Sequence, residues 1–119
     1  MEIKLFESEL KVMNIIWKHN EISASDLSKI MNKEESWNKN TTYTVIQKLI
    51  KKNAIERIEP KFICRALISK EQIQLFETTN LIDKMYEGSK KMFFSTFLKN
   101  EVFSEDDIED LKKCLDDLE

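Results

Sequence analysis

The stretch Asn40–Arg57, NTTYTVIQKLIKKNAIER, decides the fold. Thr42, Val45, Ile46, Leu49 and Ile50 recur at the three- and four-residue spacing of an amphipathic helix, while Thr41, Tyr43, Thr44, Gln47, Lys48 and Lys51 line much of the other side. The spacing predicts a helix from about Asn38 to Asn53, with Asn53 as its stop. Short polar side chains gather at its start and lysines toward its end.

Upstream, Leu10, Met13, Ile16 and Trp17 make the stripe of a first helix over about Glu7 to His19, with Trp17 in the core. Ser23 is read as the cap of a second helix, Asp26 standing three residues on in place of a capping-box acid; Leu27, Ile30 and Met31 form its apolar face and Asn32 its end. The polar loop KEESWNK follows, with Trp37 either packed under the third helix or against a nucleic-acid backbone. Downstream, AIERIE and FICRALI flank Pro60-Lys61 and alternate as the two strands of a hairpin. Helix, helix, helix, hairpin is the order of a winged helix.

Ser69 and Gln72 stand at capping-box spacing at the head of a helical stretch reaching about Glu87, which Gly88 interrupts. Another helix covers Ser89 to Asn100, and Ser104 with Asp107 caps a last one carrying Ile108, Leu111, Leu115 and Leu118. The expected fold is therefore mostly α with a small β-hairpin, a winged helix-turn-helix domain over 1–69 followed by a helical dimerisation region over 70–119. The second region concentrates Ile73, Phe76, Ile82, Met85, Tyr86, Phe93, Phe97, Ile108, Leu111 and Leu115 in a piece too short to bury them alone, so a second copy of the chain is expected to cover them.

The bulk properties narrow the function classes. Of 119 residues, 41% are apolar and 34% charged, with one glycine and one proline, which suits a folded, helix-rich chain. No apolar run is long enough for a bilayer and MEIKLFESEL lacks the features of a secretion signal, so the cytoplasm is the expected compartment and membrane insertion is not expected. Cys64 and Cys114 form no CxxC pair and are read as reduced, mostly buried thiols. His19 is the only histidine, and the Ser-x-x-Lys spacings at Ser8–Lys11 and Ser36–Lys39 lack the companion motifs of penicillin-binding enzymes. No catalytic residue, metal or cofactor is expected.

The net charge of −3 hides a polarised chain. Between Ser36 and Arg65, Lys39, Lys48, Lys51, Lys52, Arg57, Lys61 and Arg65 outnumber Glu56 and Glu59, a local balance of +5, whereas from Asn100 onward the balance is −7. A duplex is thus an expected partner of the third helix. Asn40, Thr41, Tyr43 and Thr44 would read bases, and Lys39, Lys48, Lys51, Arg57 and Lys61 would hold phosphates. The helix start adds unpaired N–H groups that favour an anion. Two plainer readings compete: a threonine-rich helix start that is only capping chemistry, and lysines that are only a solvated face. A protein-interaction module and a repressor sensing a metal or small molecule directly are the alternative functions.

The residues then support something narrower. ESELKVMNIIWKHNEISASDL and NTTYTVIQKLIKKNAIER resemble the first two helices, the recognition helix and the first wing strand of the penicillinase-repressor family of winged-helix transcriptional regulators (BlaI/MecI/CopY). The likeness continues more weakly through TTNLIDKMYEG and FLKNEVFSEDDIEDLKKCL. The resemblance implies a homodimeric repressor on a palindromic double-stranded DNA operator, acting on resistance or metal-response genes. It also implies induction by a membrane-bound sensor metalloprotease that cleaves the dimerisation region. By position that cleavage falls at Thr96-Phe97, with Thr96 where relatives often carry asparagine. The copper-responsive branch carries a Cys-x-Cys motif near its end; with only Cys114 there, the chain sits closer to the BlaI/MecI branch and β-lactam resistance. Phe6 stands where relatives often have a capping serine or threonine.

Overall fold

The computed structural model describes residues 3–119 and contains, among them, six helices and three strands. In chain order these are α1 (Glu7–His19), β1 (Glu21–Ser23), α2 (Ala24–Glu35), α3 (Lys39–Lys51), β2 (Ile55–Ile58), β3 (Ile63–Ala66), α4 (Lys70–Met85), α5 (Lys90–Asn100) and α6 (Glu105–Asp116). Two compact units make up the chain, the first ending at Thr78 and the second beginning at Thr79.

Capping chemistry sets most helix starts where the sequence places them. Ser23, Asn38, Ser89 and Ser104 each accept a hydrogen bond from the backbone N–H three residues on. Ser69 and Gln72 close a reciprocal box, Ser69 N donating to Gln72 Oε1 at 2.7 Å and Gln72 N to Ser69 Oγ at 3.0 Å. At α1 the cap residue is Phe6, whose side chain has no acceptor. Its backbone N–H instead donates to Glu9 Oε1 at 2.8 Å.

The core of the first unit is built from the buried faces of three helices and the sheet. Val12, Met13 and Ile16 of α1, Leu27 and Met31 of α2, and Val45, Ile46 and Leu49 of α3 meet Ile22, Ile55 and Cys64 from the strands. Ile73 of α4 joins them, and Trp17, half-buried, donates its Nε1–H to the Ile68 carbonyl at 2.9 Å.

Three expectations change here. The hairpin is one part of a three-stranded antiparallel sheet of order β1-β3-β2, with Ile22 opposite Cys64 and Arg57 opposite Cys64 on the other side. β1 is three residues with one apolar side chain, too short to show alternation; it forms because β3 offers an open edge and Ile22 has a core to enter. α2 runs on to Glu35 and takes up Lys33, Glu34 and Glu35 of the loop expected after Asn32. Its apolar stripe stops at Met31, but Lys33, Glu34 and Glu35 favour helix, and Glu35 pairs with Lys11 of α1 at 2.5 Å. Of the two thiols, only Cys64 is buried; Cys114 is exposed, because α6 has no buried face.

One charged pair lies inside this core. Glu9 is 1% exposed, and Lys52, just past α3, places its Nζ 2.6 Å from Glu9 Oε1. The same ammonium donates to the Lys4 carbonyl at 2.9 Å and lies 4.5 Å from the centroid of the Phe6 ring. Removing one partner of a buried pair leaves a charge without compensation. Lys52→Met is therefore expected to lower unfolding free energy by on the order of 3 kcal/mol, with Glu9→Gln added to it recovering part of the loss; additive losses in chemical denaturation would remove the pairing as the cause.

Burial pushes the Cys64 thiol up to about 11, a nearby Arg57 charge opposing this only in part; in an unfolded chain the thiol ionises near 9.0. The folded state thus holds this proton more tightly. Its stabilising contribution is complete below pH 9 and is lost as pH rises toward 11. Over that window the wild type should lose stability more steeply than Cys64→Ala, and parallel denaturation profiles for the two would contradict it.

Candidate nucleic-acid interface

α2 and α3 are joined by Ser36–Asn38, the short connection of a helix-turn-helix. Ser36 takes the left-handed conformation that ends α2, and its N–H donates to the Asn32 carbonyl at 3.0 Å. Trp37 is half-buried against the core, and its carbonyl accepts from Asn32 Nδ2 at 2.9 Å. Of the two places open to Trp37, packing is the one it takes. Asn38 Oδ1 then accepts from Thr41 N at 2.8 Å and begins α3.

With Thr42, Val45, Ile46 and Leu49 buried, α3 is fixed in rotation, and Asn40, Thr41, Thr44, Gln47, Lys48 and Lys51 are exposed. The helix contains no acidic residue. Two of its exposed hydroxyls are already engaged. Thr44 Oγ1–H donates to the Asn40 carbonyl at 2.8 Å, and Thr41 Oγ1–H donates to Asn38 Oδ1 at 3.1 Å. Each threonine therefore presents a methyl group and acceptor lone pairs, suited to a thymine methyl or an exocyclic amine. The Asn40 amide carries the donor and acceptor that adenine requires.

Tyr43 differs from its neighbours in being half-buried. Its ring lies 5.8 Å from that of Phe62, and Lys39 Nζ is 5.6 Å from its centroid. Phe62 precedes β3 and was not among the residues the sequence singled out. A lone phenylalanine at a hairpin turn carries no local signal of this contact. Asn53, with a left-handed φ of 62°, turns the chain from α3 into β2.

The seven basic residues of this segment divide by their partners. Lys52 pairs with Glu9, Arg65 with Glu56 at 2.5 Å, and Arg57 with Glu59. Among the described residues, Lys39, Lys48, Lys51 and Lys61 form no ion pair, and all four are exposed. Three of them are on α3 and the fourth is in the wing turn.

The residues expected at a dimer surface occupy different environments. Ile73 and Ile82 are buried, at 5% and 6% exposure. Phe76, Tyr86 and Phe93 are half-buried, while Met85, Phe97, Ile108, Leu111 and Leu115 are exposed. Thr96 and Phe97 lie within α5, the Thr96 carbonyl accepting from Asn100 Nδ2 at 2.7 Å and the Phe97 ring stacked 6.1 Å from Phe93. Among the described residues no cluster of metal-binding side chains occurs and no helix is long and apolar enough to cross a membrane.

A helix-turn-helix with an acid-free, cationic second helix, followed by a basic β-hairpin, defines a winged-helix DNA-binding protein. The chain belongs to the penicillinase repressor family, whose sequence profile matches residues 5–117. This makes it a DNA-binding regulator and not an enzyme. It is 31% identical to the methicillin resistance regulatory protein MecI of Staphylococcus aureus strain N315, over 97% of this chain and 98% of that one. It is 26% identical to the penicillinase repressor of Bacillus licheniformis, over 96% and 91%. Among solved structures, the DNA-binding domain of the repressor BlaI matches 59% of this chain and 90% of its own, at a TM-score of 0.54 and 30% identity. Bacillus licheniformis BlaI, in monomeric form with the blaP half-operator, matches 58% and 87% at 0.52 and 30%.

The division of labour expected on α3 would have a measurable signature. Thr44→Ala should reduce discrimination among operator variants by about 1 to 3 kcal/mol at one base pair. Lys48→Ala should weaken specific and random duplexes alike and flatten the salt dependence. Equal loss on both duplexes for Thr44→Ala would take it off the bases.

Proposed function

We propose that the chain represses transcription as a homodimer on a palindromic operator, controls β-lactam resistance genes, and is inactivated by cleavage in its dimerisation region. The exposed face of α3 carries this reading: a continuous polar and cationic surface without an acid, presented by a helix whose other face is buried. Asn40, Thr41, Tyr43 and Thr44 read bases, and Lys39, Lys48, Lys51, Arg57 and Lys61 hold phosphates. The names of the relatives support the target: methicillin resistance regulation for MecI and a blaP half-operator for BlaI.

Residues 1–69 supply the DNA-binding part and residues 70–119 the dimer contact. Support for the dimer comes from α5 and α6, neither of which has a buried residue, although both carry large apolar side chains. Leu115 is 64% exposed and Phe97 46%. Burying one such side chain contributes on the order of 2 kcal/mol, and a second copy presents the same surface in return. Two-fold symmetry then sets two α3 helices at half-sites about one DNA turn, or a multiple of it, apart.

Cleavage at Thr96-Phe97 by a membrane-bound sensor protease working from the cytoplasm would sever this contact. The bond lies inside α5, so the helix must open before a protease can hold it extended, and a helix without buried residues opens at low cost. Sedimentation of the full chain with a palindromic duplex tests the whole reading. Two protomers per duplex, affinity that falls steeply with salt, and loss of the tight complex after cutting in α5 are expected. One protomer per palindrome, or equal affinity for random duplex, would overturn it.

A further inference from the structure

We infer that Phe62 is a positioning residue of the DNA interface, and that Glu59 occupies the place on Arg57 that a backbone phosphate takes when DNA binds. The inference rests on the proposed DNA-binding reading and extends it to two residues outside α3.

The Arg57 guanidinium lies 3.6 Å from the centroid of the Phe62 ring, the distance of a stacked cation. The other neighbour of that ring is Tyr43, which Lys39 approaches from α3. Lys39, Tyr43, Phe62 and Arg57 thus form one continuous row of cation, ring, ring and cation. The row crosses from the start of the recognition helix to the wing. Both ends are residues the duplex would meet as phosphate contacts, so Phe62 fixes the spacing between two cations that belong to different elements.

The backbone is arranged for the same purpose. Phe62 takes a left-handed φ of 50°, which a β-carbon disfavours, and its carbonyl accepts from Ala24 N at 2.9 Å. Glycine would adopt this conformation more easily. A phenylalanine held there by its backbone bond and by ring contacts with Tyr43 and Arg57 is explained by what the ring does.

Glu59 pairs with the Arg57 guanidinium in the absence of DNA. A guanidinium binds carboxylate and phosphate with the same donor geometry, so the duplex must displace Glu59 to reach Arg57. Stacking on Phe62 leaves the edge of the guanidinium free for that exchange. Glu59 therefore lowers non-specific affinity, because any duplex must first replace an internal partner.

The experiment is fluorescence anisotropy of the full chain on an operator duplex across a salt series. Phe62→Gly removes the ring while suiting the backbone. It should weaken binding severalfold and lower the salt slope by about 0.9 for each wing engaged, whereas Phe62→Tyr should retain both. Adding Phe62→Gly to Arg57→Ala should cost much less than Phe62→Gly alone. Glu59→Gln should tighten binding to random duplex severalfold. If the wild type shows no salt-dependent duplex binding, the DNA reading itself fails. If the wild type binds and Phe62→Gly leaves the salt slope unchanged, or its effect adds fully to that of Arg57→Ala, the positioning role is overturned. Unchanged random-duplex affinity in Glu59→Gln would overturn the role given to Glu59.

Discussion

The position of the recognition helix depends on a carboxylate that the rest of the core excludes from water. Glu9 sits on the apolar stripe of α1, accepts from Phe6 N on one side and binds Lys52 on the other. Through Lys52 the end of α3 is tied to the start of α1 and to the segment before it. A hydrophobic pair of the same volume could pack there, and such replacements are often neutral or stabilising. What a hydrophobic pair would lack is a single preferred register. The ammonium has one short approach to one oxygen, while Glu9 Oε2 has no hydrogen-bond partner among the described residues.

This pair also explains why local reasoning could reach most of the helices and not everything that orients them. Caps act over three residues, so Ser23, Ser69 and Ser104 mark true helix starts in the sequence alone. The face of α3 was equally legible, since Val45, Ile46 and Leu49 obey the helical period. Glu9 and Lys52 are 43 residues apart, and each resembles an ordinary surface charge. β1 escaped for a related reason: its three residues become a strand only when β3 is beside them. The end of α2 was misjudged because the apolar stripe stops before the hydrogen-bond ladder does. Cys114, expected to be buried, is exposed because α6 has no buried face within the chain.

The charge pattern of the interface is sharper in three dimensions than along the chain. Counted by sequence, seven cations surround α3; counted by partner, Lys52, Arg57 and Arg65 are held by acids of the same unit. The four others lie on the exposed side of α3 and on the wing turn and form no ion pair among the described residues, so on the proposed reading a phosphate reaches them without displacing an acid. On that reading phosphate affinity is concentrated beside the base contacts, and the net charge of −3 has little bearing on it.

The two units differ in how much order each can sustain. The first closes a core in which ten or more side chains are fully buried, so packing within the unit holds α3 in place. In the second, the aromatic contacts run Tyr86 to Phe93 to Phe97 to Phe103, yet no residue of α5 or α6 is buried. On the proposed reading, a unit of this kind gains most of its stability from the second copy that covers it, which makes its order a function of concentration. On the proposed reading, affinity for a two-site operator exceeds that for one site by the effective concentration the linkage supplies. That gain resides wholly in the weaker unit. Control by a single cut then needs no change at the DNA-reading face, because opening one exposed helix removes the linkage while each α3 keeps its structure.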